Sequence, residues 1–240
     1  MGKNFALIAE GPTDYLILNH IIGHYCGSDN IVNQIQPPVD CNGNQLEESI
    51  GGWNQVLLYC KREEDLKEIL CYNDYIIFQI DTDVCEIPPF SVNRTVDGHV
   101  LDEEELCRAI EARLLSDIPE SIDRSKILFA ICVNTIECWL LPYCCITEAR
   151  KKHINQCLRD LNQELNRMNI RPIGENKNAI SSRASYLSVL DINKKKESIE
   201  RCASYHPGFR NLLNSLKAVQ EADNDMIESE RENGVMSVVS

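Results

Sequence analysis

The chain lacks any apolar run long enough to span a bilayer, and its N-terminus has no signal-peptide pattern. We therefore expect a cytoplasmic protein that does not bind membranes. No Cys-x-x-Cys pair occurs among its 12 cysteines, and several of them, such as Cys132 and Cys138, lie inside apolar runs. Because free cysteine behaves as a small buried hydrophobic residue, this pattern predicts reduced thiols rather than a disulfide scaffold or a zinc ribbon.

The chain also lacks an excess of basic residues. It has 24 Lys and Arg against 37 Asp and Glu, which gives a net charge of -13. This balance argues against a broad nucleic-acid-binding face, which is basic in most such proteins. It leaves room for a nuclease whose acidic pocket is neutralised by metal. With 240 residues and 43% hydrophobic residues, the chain suits one soluble domain, or one domain with a small appendage.

The most informative stretch is an apolar run that ends in two carboxylates. Residues 75–80 are Tyr-Ile-Ile-Phe-Gln-Ile, and Asp81-Thr82-Asp83 follows. β-branched and aromatic residues in such a run favour a strand buried on both faces of a parallel sheet. Two adjacent acids repel each other unless a cation lies between them, and Mg²⁺ prefers oxygen ligands. The pattern predicts a metal site, and the simpler alternative is a strand followed by an Asx turn.

Two other apolar runs end in polar residues in the same way. The run that ends at Ala9 is followed by Glu10-Gly11-Pro12-Thr13-Asp14 and then by a helical pattern. The run 127–133 is followed by Asn134 and Thr135 and by a short helix that carries Glu137. Parallel strands would bring these three ends to one edge of a sheet. We therefore predict three or four carboxylates around one pocket, enough for one or two Mg²⁺ ions.

The alternation of apolar runs with helical patterns predicts the architecture. We expect an α/β fold in which a mostly parallel sheet has helices on both faces. Residues 1–146 would form this core, residues 147–220 a helical extension that completes the site, and residues 221–240 a disordered acidic tail. Single long helices are expected over residues 53–70 and 148–168.

These motifs resemble those of the TOPRIM family, which includes topoisomerases, primases, OLD-family nucleases and small nucleases of prokaryotic defence loci. The resemblance rests on the strand followed by Glu10-Gly11, on the strand followed by Asp81-x-Asp83, and on their order and spacing. The strings at 10–14 and 135–141, with the pattern from Asp191 to Leu216, are most similar to the defence-associated, RloB-like group. A departure from related systems is that no ATPase domain is attached, so that any such partner would be a separate chain.

The resemblance implies a Mg²⁺-dependent (or Mn²⁺-dependent) nuclease that acts on DNA or tRNA as an anti-phage effector. It implies that Glu10 is a metal-linked or general acid/base residue, that Asp81 and Asp83 are metal ligands, and that Glu137 completes the site. Lys194 or Lys196, within the run 194–196, would stabilise charge in the transition state, although such a run is more often a solvated face. The acidic surface indicates weak intrinsic affinity for nucleic acid, so a basic partner or a homo-oligomer is expected.

Three alternatives remain open from the sequence. Asp81-Thr82-Asp83 also matches the first motif of haloacid-dehalogenase-type phosphatases, in which Asp81 would be the nucleophile and Asp83 a general acid. Thr135 would then be the second motif, but no later strand ends in paired aspartates and Glu10 would have no role. An Asp-x-Asp pair also occurs in sugar-nucleotide transferases, with no further support in this chain. Finally, the protein could be a non-catalytic regulatory subunit with a vestigial metal site.

Overall fold

The computed structural model describes the backbone of residues 2–38 and 51–236 and the side chains of residues 2–38 and 51–222. Its centre is a four-stranded sheet formed by β1 (Asn4–Ile8), β2 (Ile31–Gln36), β3 (Tyr75–Asp81) and β6 (Ile127–Cys132). The strand order is β2-β1-β3-β6, and every neighbouring pair is parallel. A short antiparallel hairpin, β4 (Thr95–Val96) and β5 (His99–Val100), lies outside this sheet.

Ten α-helices surround the sheet. Their bounds are α1 Pro12–Cys26, α2 Trp53–Cys60, α3 Glu63–Tyr72, α4 Glu103–Asp117, α5 Leu141–Cys144, α6 Glu148–Lys151, α7 Cys157–Arg167, α8 Ile180–Leu190, α9 Lys196–Ala203 and α10 Pro207–Met236, in the described part of the chain. A 3-10 turn, Ile136–Leu140, follows β6 and leads directly into α5. None of the helices in the described ranges is long and apolar enough to cross a membrane.

The two faces of the sheet pack against different helices because successive strand residues point to opposite sides. Phe5, Leu7, Ile77 and Leu128 face a large apolar cluster that includes residues of α1 and of α7 to α10. On the other side, residues such as Phe78 pack with α2, α3 and α4. The predicted fold class, a mostly parallel sheet with helices on both faces, is therefore confirmed.

The helical extension shares a core with the sheet. The large cluster joins strand residues to Leu161, Tyr186 and Phe209, all C-terminal to residue 146. Helix α10 packs along the edge strand β6 and covers it, and the approach is so close that a Cβ atom at Gly208 would lie 1.7 Å from the carbonyl oxygen of Ile131. The chain division predicted at residue 146 therefore marks a change of architecture within one packed unit.

Two predicted long helices are each broken in the structure. The helix expected over 53–70 is divided between α2 and α3 by Lys61 and Arg62, and Arg62 has the non-helical angles φ -88° and ψ 81°. The helix expected over 148–168 is divided between α6 and α7, where Gln156 has a positive φ of 55°. Apolar residues at helical spacing on both sides of each break hid the interruptions from the sequence pattern.

The disordered tail predicted for residues 221–240 is wrong as far as Met236, because α10 continues to that residue. Glu and Ala, which are good helix formers, recur in this segment, and the helix already formed at Pro207 needs no new nucleus to propagate. Residues 237–240 lie outside the described residues. The expectation of reduced thiols throughout is also wrong, since Cys138 and Cys157 form a disulfide that joins the 3-10 turn to α7.

Candidate active site

Glu10 and Asp81 meet at the carboxyl edge of the sheet. Strands β1 and β3 are parallel neighbours with Ile8 opposite Phe78, so the residues that follow them emerge side by side. The backbone N–H of Asp81 donates a hydrogen bond of 2.6 Å to Oε1 of Glu10. The structure therefore brings together the two acids that the sequence placed at the ends of separate strands.

Gln79 fixes the relation between these two acids. Its side chain is fully buried between the strands. Its Oε1 accepts a hydrogen bond of 3.0 Å from the backbone N–H of Glu10, and its Nε2 donates one of 3.0 Å to Oδ1 of Asp81. Because a buried amide with both ends bonded has few other orientations, Gln79 holds the Asp81 carboxylate in place beside the Glu10 backbone.

The acids at this edge oppose one another's ionisation. Burial, and then the charge of Asp83, raise the pKa of Glu10 to about 7, although hydrogen bonds from backbone N–H groups act in the opposite direction. Burial and the charge of Asp14 hold the pKa of Asp81 well above its usual range. Burial and the charges of Glu10 and Glu137 do the same to the pKa of Asp14. A concentration of negative charge with these effects is suited to receiving a cation or a proton.

Glu137 enters from the 3-10 turn after β6 and is 1% exposed. Its Oε1 accepts hydrogen bonds from Nζ of Lys177 at 2.6 Å and from the hydroxyl of Tyr186 at 2.8 Å. Burial raises the pKa of Glu137, but the charge and hydrogen bond of Lys177, with the Tyr186 hydroxyl, more than offset this, so the pKa is lowered overall. Its Oε2 is buried and has no hydrogen-bond partner among the described residues.

Asp83 lies at the mouth of this cluster, where its side chain is exposed. Its backbone N–H and that of Thr82 donate to the carbonyl oxygen of Asn134, which ties the loop after β3 to the end of β6. Nη2 of Arg94 donates 2.7 Å hydrogen bonds to the Thr82 carbonyl and to Oδ1 of Asn134. Asn134 has a positive φ of 63°, which asparagine tolerates better than most residues, and so turns the chain toward Glu137.

The lysines predicted to be catalytic lie elsewhere. Lys194 pairs with Asp191 at 2.8 Å, and Asp191 in turn is 3.6 Å from His20, in the second half of α1. Lys196 lies over the ring of Tyr25, at the C-terminal end of the same helix. Glu10 and Asp14 lie at the opposite end, about 15 Å away at 1.5 Å per helical residue. The structure therefore does not bring Lys194 or Lys196 to the carboxylates.

Sequence analysis missed four residues that the structure adds to this group: Asp14, Gln79, Lys177 and Tyr186. Asp14 stands one helical turn after Glu10, so its spacing was a usable signal. Gln79 is a polar residue inside a fully apolar strand, which was another. Lys177 and Tyr186 come from the segment before α8 and from α8 itself, and nothing in their local sequence separates them from ordinary surface and core residues.

The donor chemistry of this group suits a hard divalent cation. Glu10, Asp81, Asp83 and Glu137, with Asp14, offer oxygen ligands only, and the unpartnered Oε2 of Glu137 is one of them. In the described residues, however, no three or more His, Cys, Asp or Glu side chains are spaced so that they could hold one ion. Side-chain rearrangement would thus have to accompany cation binding.

Comparisons of the chain with protein-family models, with curated proteins and with solved structures found no match. The functional argument therefore rests on the residues of the site.

Proposed function

We propose that the protein is a Mg²⁺-dependent phosphodiesterase that cleaves nucleic acid, DNA or tRNA. The observation that carries this proposal is the convergence of Glu10, Asp81, Asp14 and Glu137 at the carboxyl edge of a parallel sheet. Acids of this kind, buried together, are costly to ionise unless a cation joins them. Ligands of open α/β sheets bind at the same edge.

The charge around the site favours a polyanionic substrate. Although the chain carries a net charge of -13, residues 147–183 contain eight Lys and Arg against four Asp and Glu. Within this segment the loop after α6 reaches the site, since the carbonyl of Ile154 accepts a hydrogen bond from Asn134. Lys152 in that loop is exposed, and Arg94 lies on the other side of Asn134. Cations at the rim of an acidic pocket can hold phosphates while the pocket holds metal.

The chain's own residues have distinct roles in this proposal. Glu10, Asp81, Asp83 and Glu137, with Asp14, would hold Mg²⁺ or Mn²⁺. The metal, when bound, would lower the pKa of an attacking water and stabilise charge on the phosphate. Glu10, whose pKa is about 7 in the cation-free protein, can take or give a proton near neutral pH. Gln79 positions Asp81, and Tyr186 positions Glu137.

Glu10 distinguishes this proposal from the phosphatase alternative. In a haloacid-dehalogenase-type reaction Asp81 would attack phosphorus and Asp83 would protonate the leaving group, and Glu10 would have no part. The direct hydrogen bond between Glu10 and the backbone of Asp81 instead makes Glu10 a member of the same site. We therefore favour the nuclease, within a cytoplasmic and homo-oligomeric anti-phage effector that a separate ATPase partner controls.

The proposal is tested by cleavage of tRNA, single-stranded DNA and duplex DNA with Mg²⁺ and with Mn²⁺. Glu10→Gln keeps the shape of the side chain but removes its charge and its basicity, so cleavage should fall by at least about 100-fold, the usual worth of a general base. Asp81→Asn should have a similar effect through weaker metal binding. Glu64→Gln, on an exposed face of α3, is the control and should retain full activity.

Three results would count against the proposal. Cleavage that persists in EDTA, or cleavage that is unchanged in Glu10→Gln, would exclude this mechanism. Hydrolysis of a small phosphomonoester with a covalent intermediate on Asp81 would establish the phosphatase instead. A wild-type protein that cleaves nothing, alone or with a cellular extract that supplies partners, would favour the regulatory subunit.

A further inference from the structure

Lys177 occupies the centre of the carboxylate group. Its Nζ lies 2.6 Å from Oε1 of Glu137, and its charge also acts on Glu10, Asp14 and Asp81. It therefore provides positive charge at the place where the proposed function requires a divalent cation. A lysine ammonium is a compact point charge on a flexible stem, and it donates to carboxylate oxygens as a metal accepts from them.

The contacts of Glu137 are half made in this arrangement. One oxygen accepts from both Lys177 and Tyr186, while Oε2 is buried without a hydrogen-bond partner in the described part of the chain. A buried carboxylate oxygen without a partner is costly, and most such atoms in proteins are satisfied. A single ammonium therefore satisfies the site incompletely, and this leaves a ligand atom ready for another cation.

The segment that carries Lys177 is anchored on both sides, while the lysine itself is free to move. Before it, Asn162 holds both the N–H and the carbonyl of Ile173. After it, Ser182 in α8 bonds to Gly174 and to the carbonyl of Asn176. The Lys177 side chain is 40% exposed. It can thus rotate into solvent without disturbing the backbone anchors.

We propose that Lys177 is an exchangeable internal cation, which neutralises the carboxylates in the resting protein and must leave before a divalent metal binds. This inference rests on the proposed function, because it concerns the same site. The lysine and the metal compete for the same oxygens, so each lowers the apparent affinity of the other. Only the fraction of molecules with Lys177 withdrawn is competent to bind metal, and the observed metal affinity is lowered by that fraction.

The test is the affinity for Mn²⁺, measured by isothermal titration calorimetry without nucleic acid. Lys177→Met keeps the apolar stem and removes the charge, so Mn²⁺ should bind about tenfold or more tightly if the withdrawn form is a tenth or less of the population. Lys194→Met removes a lysine that also pairs with one carboxylate, Asp191 at 2.8 Å, but lies away from the site. Its Mn²⁺ affinity should equal that of the wild type.

A second measurement uses the wild-type protein and does not depend on the folding of Lys177→Met. In ¹⁵N-lysine-labelled protein, the Lys177 ammonium should give a protected NMR signal, assigned by its absence from Lys177→Arg. Saturation with Mg²⁺ should abolish that signal, because the released ammonium exchanges its protons with water. A signal that persists at saturating Mg²⁺ would overturn the exchange.

The outcomes separate this inference from the proposed function. Mn²⁺ affinity that is unchanged or weaker in Lys177→Met would overturn the exchange, while the nuclease proposal would stand if the wild type binds Mn²⁺ and cleaves. A loss of cleavage with unchanged affinity would assign Lys177 to the substrate instead. If neither protein binds Mn²⁺, both the exchange and the metal-dependent mechanism are refuted.

Discussion

Glu10→Gln should stabilise the metal-free protein at neutral and alkaline pH, although it should abolish activity. In the folded protein the pKa of Glu10 is raised to about 7 by burial and by the charge of Asp83, compared with an ordinary value of 4.5. Ionised Glu10 therefore costs free energy in the folded state and not in the unfolded chain. Glutamine keeps the oxygen that accepts from the backbone N–H of Asp81, and so removes the charge without removing that hydrogen bond.

The sign and size of the effect follow from proton linkage. Between pH 4.5 and pH 7 the folded state binds more protons than the unfolded state, so the free energy of unfolding falls as the pH rises. The loss is about 1 kcal/mol at pH 5 and about 3 kcal/mol at pH 8, from a pKa difference of about 2.5 units at 1.36 kcal/mol each. Below pH 4.5 the penalty vanishes, and the variant and the wild type should be equally stable.

The assay is urea denaturation in EDTA at pH 4, 5, 6, 7 and 8, with the free energy of unfolding extrapolated to water. Glu10→Gln should gain on the wild type progressively from pH 5 to pH 8. Glu64→Gln, at an exposed position, is the control and should differ by less than about 0.5 kcal/mol at every pH. If Glu10→Gln is less stable than the wild type at pH 8, the Glu10 charge does not oppose folding and the reasoning is wrong.

Two further predictions concern packing. Reduction of the Cys138–Cys157 disulfide, or Cys157→Ser, should lower the free energy of unfolding by about 3 kcal/mol, because the bond closes a loop of 19 residues in sequence separation; equal denaturation curves with and without dithiothreitol would show that the bond does not form. Gly208→Ala should destabilise by about 3 kcal/mol or more, since its Cβ would lie 1.7 Å from the Ile131 carbonyl oxygen, whereas Gly23→Ala, in α1 with no atom within 4 Å of the new Cβ, should stabilise by about 0.5–1 kcal/mol; thermal melts of both variants test this pair.

The fold was predictable because its signals are local. Each of the strands β1, β3 and β6 is an apolar run whose alternate residues are buried on opposite faces of the sheet. A run of this kind reveals a parallel sheet directly. The breaks at Arg62 and Gln156 were not predictable, because they depend on backbone angles that the tertiary contacts select. The same holds for the cysteine pair, which becomes adjacent only when the 3-10 turn packs on α7.

The carboxylates of the site were also predictable, for a topological reason. Parallel strands place their C-terminal ends at one edge, so acids that follow separate strands meet without any knowledge of side-chain packing. Glu10, Asp81 and Glu137 all follow strands in this way. The cation of the site had no such rule, since it comes from a segment between α7 and α8. A run of three lysines at 194–196 looked more informative than the single Lys177, and it lies against α1 instead.

The cost of the carboxylate group explains why the site draws on the whole chain. Glu10, Asp14 and Asp81 each have a pKa raised first by burial, so the sheet edge alone is electrostatically unfavourable. Strands can position acids there, but they cannot supply a counter-charge, since the strand ends bear only acids and amides. Lys177 and Tyr186 provide it from the helical extension through Glu137. The extension therefore completes the site electrostatically as well as sterically, and removing it should leave an edge that binds protons in place of metal.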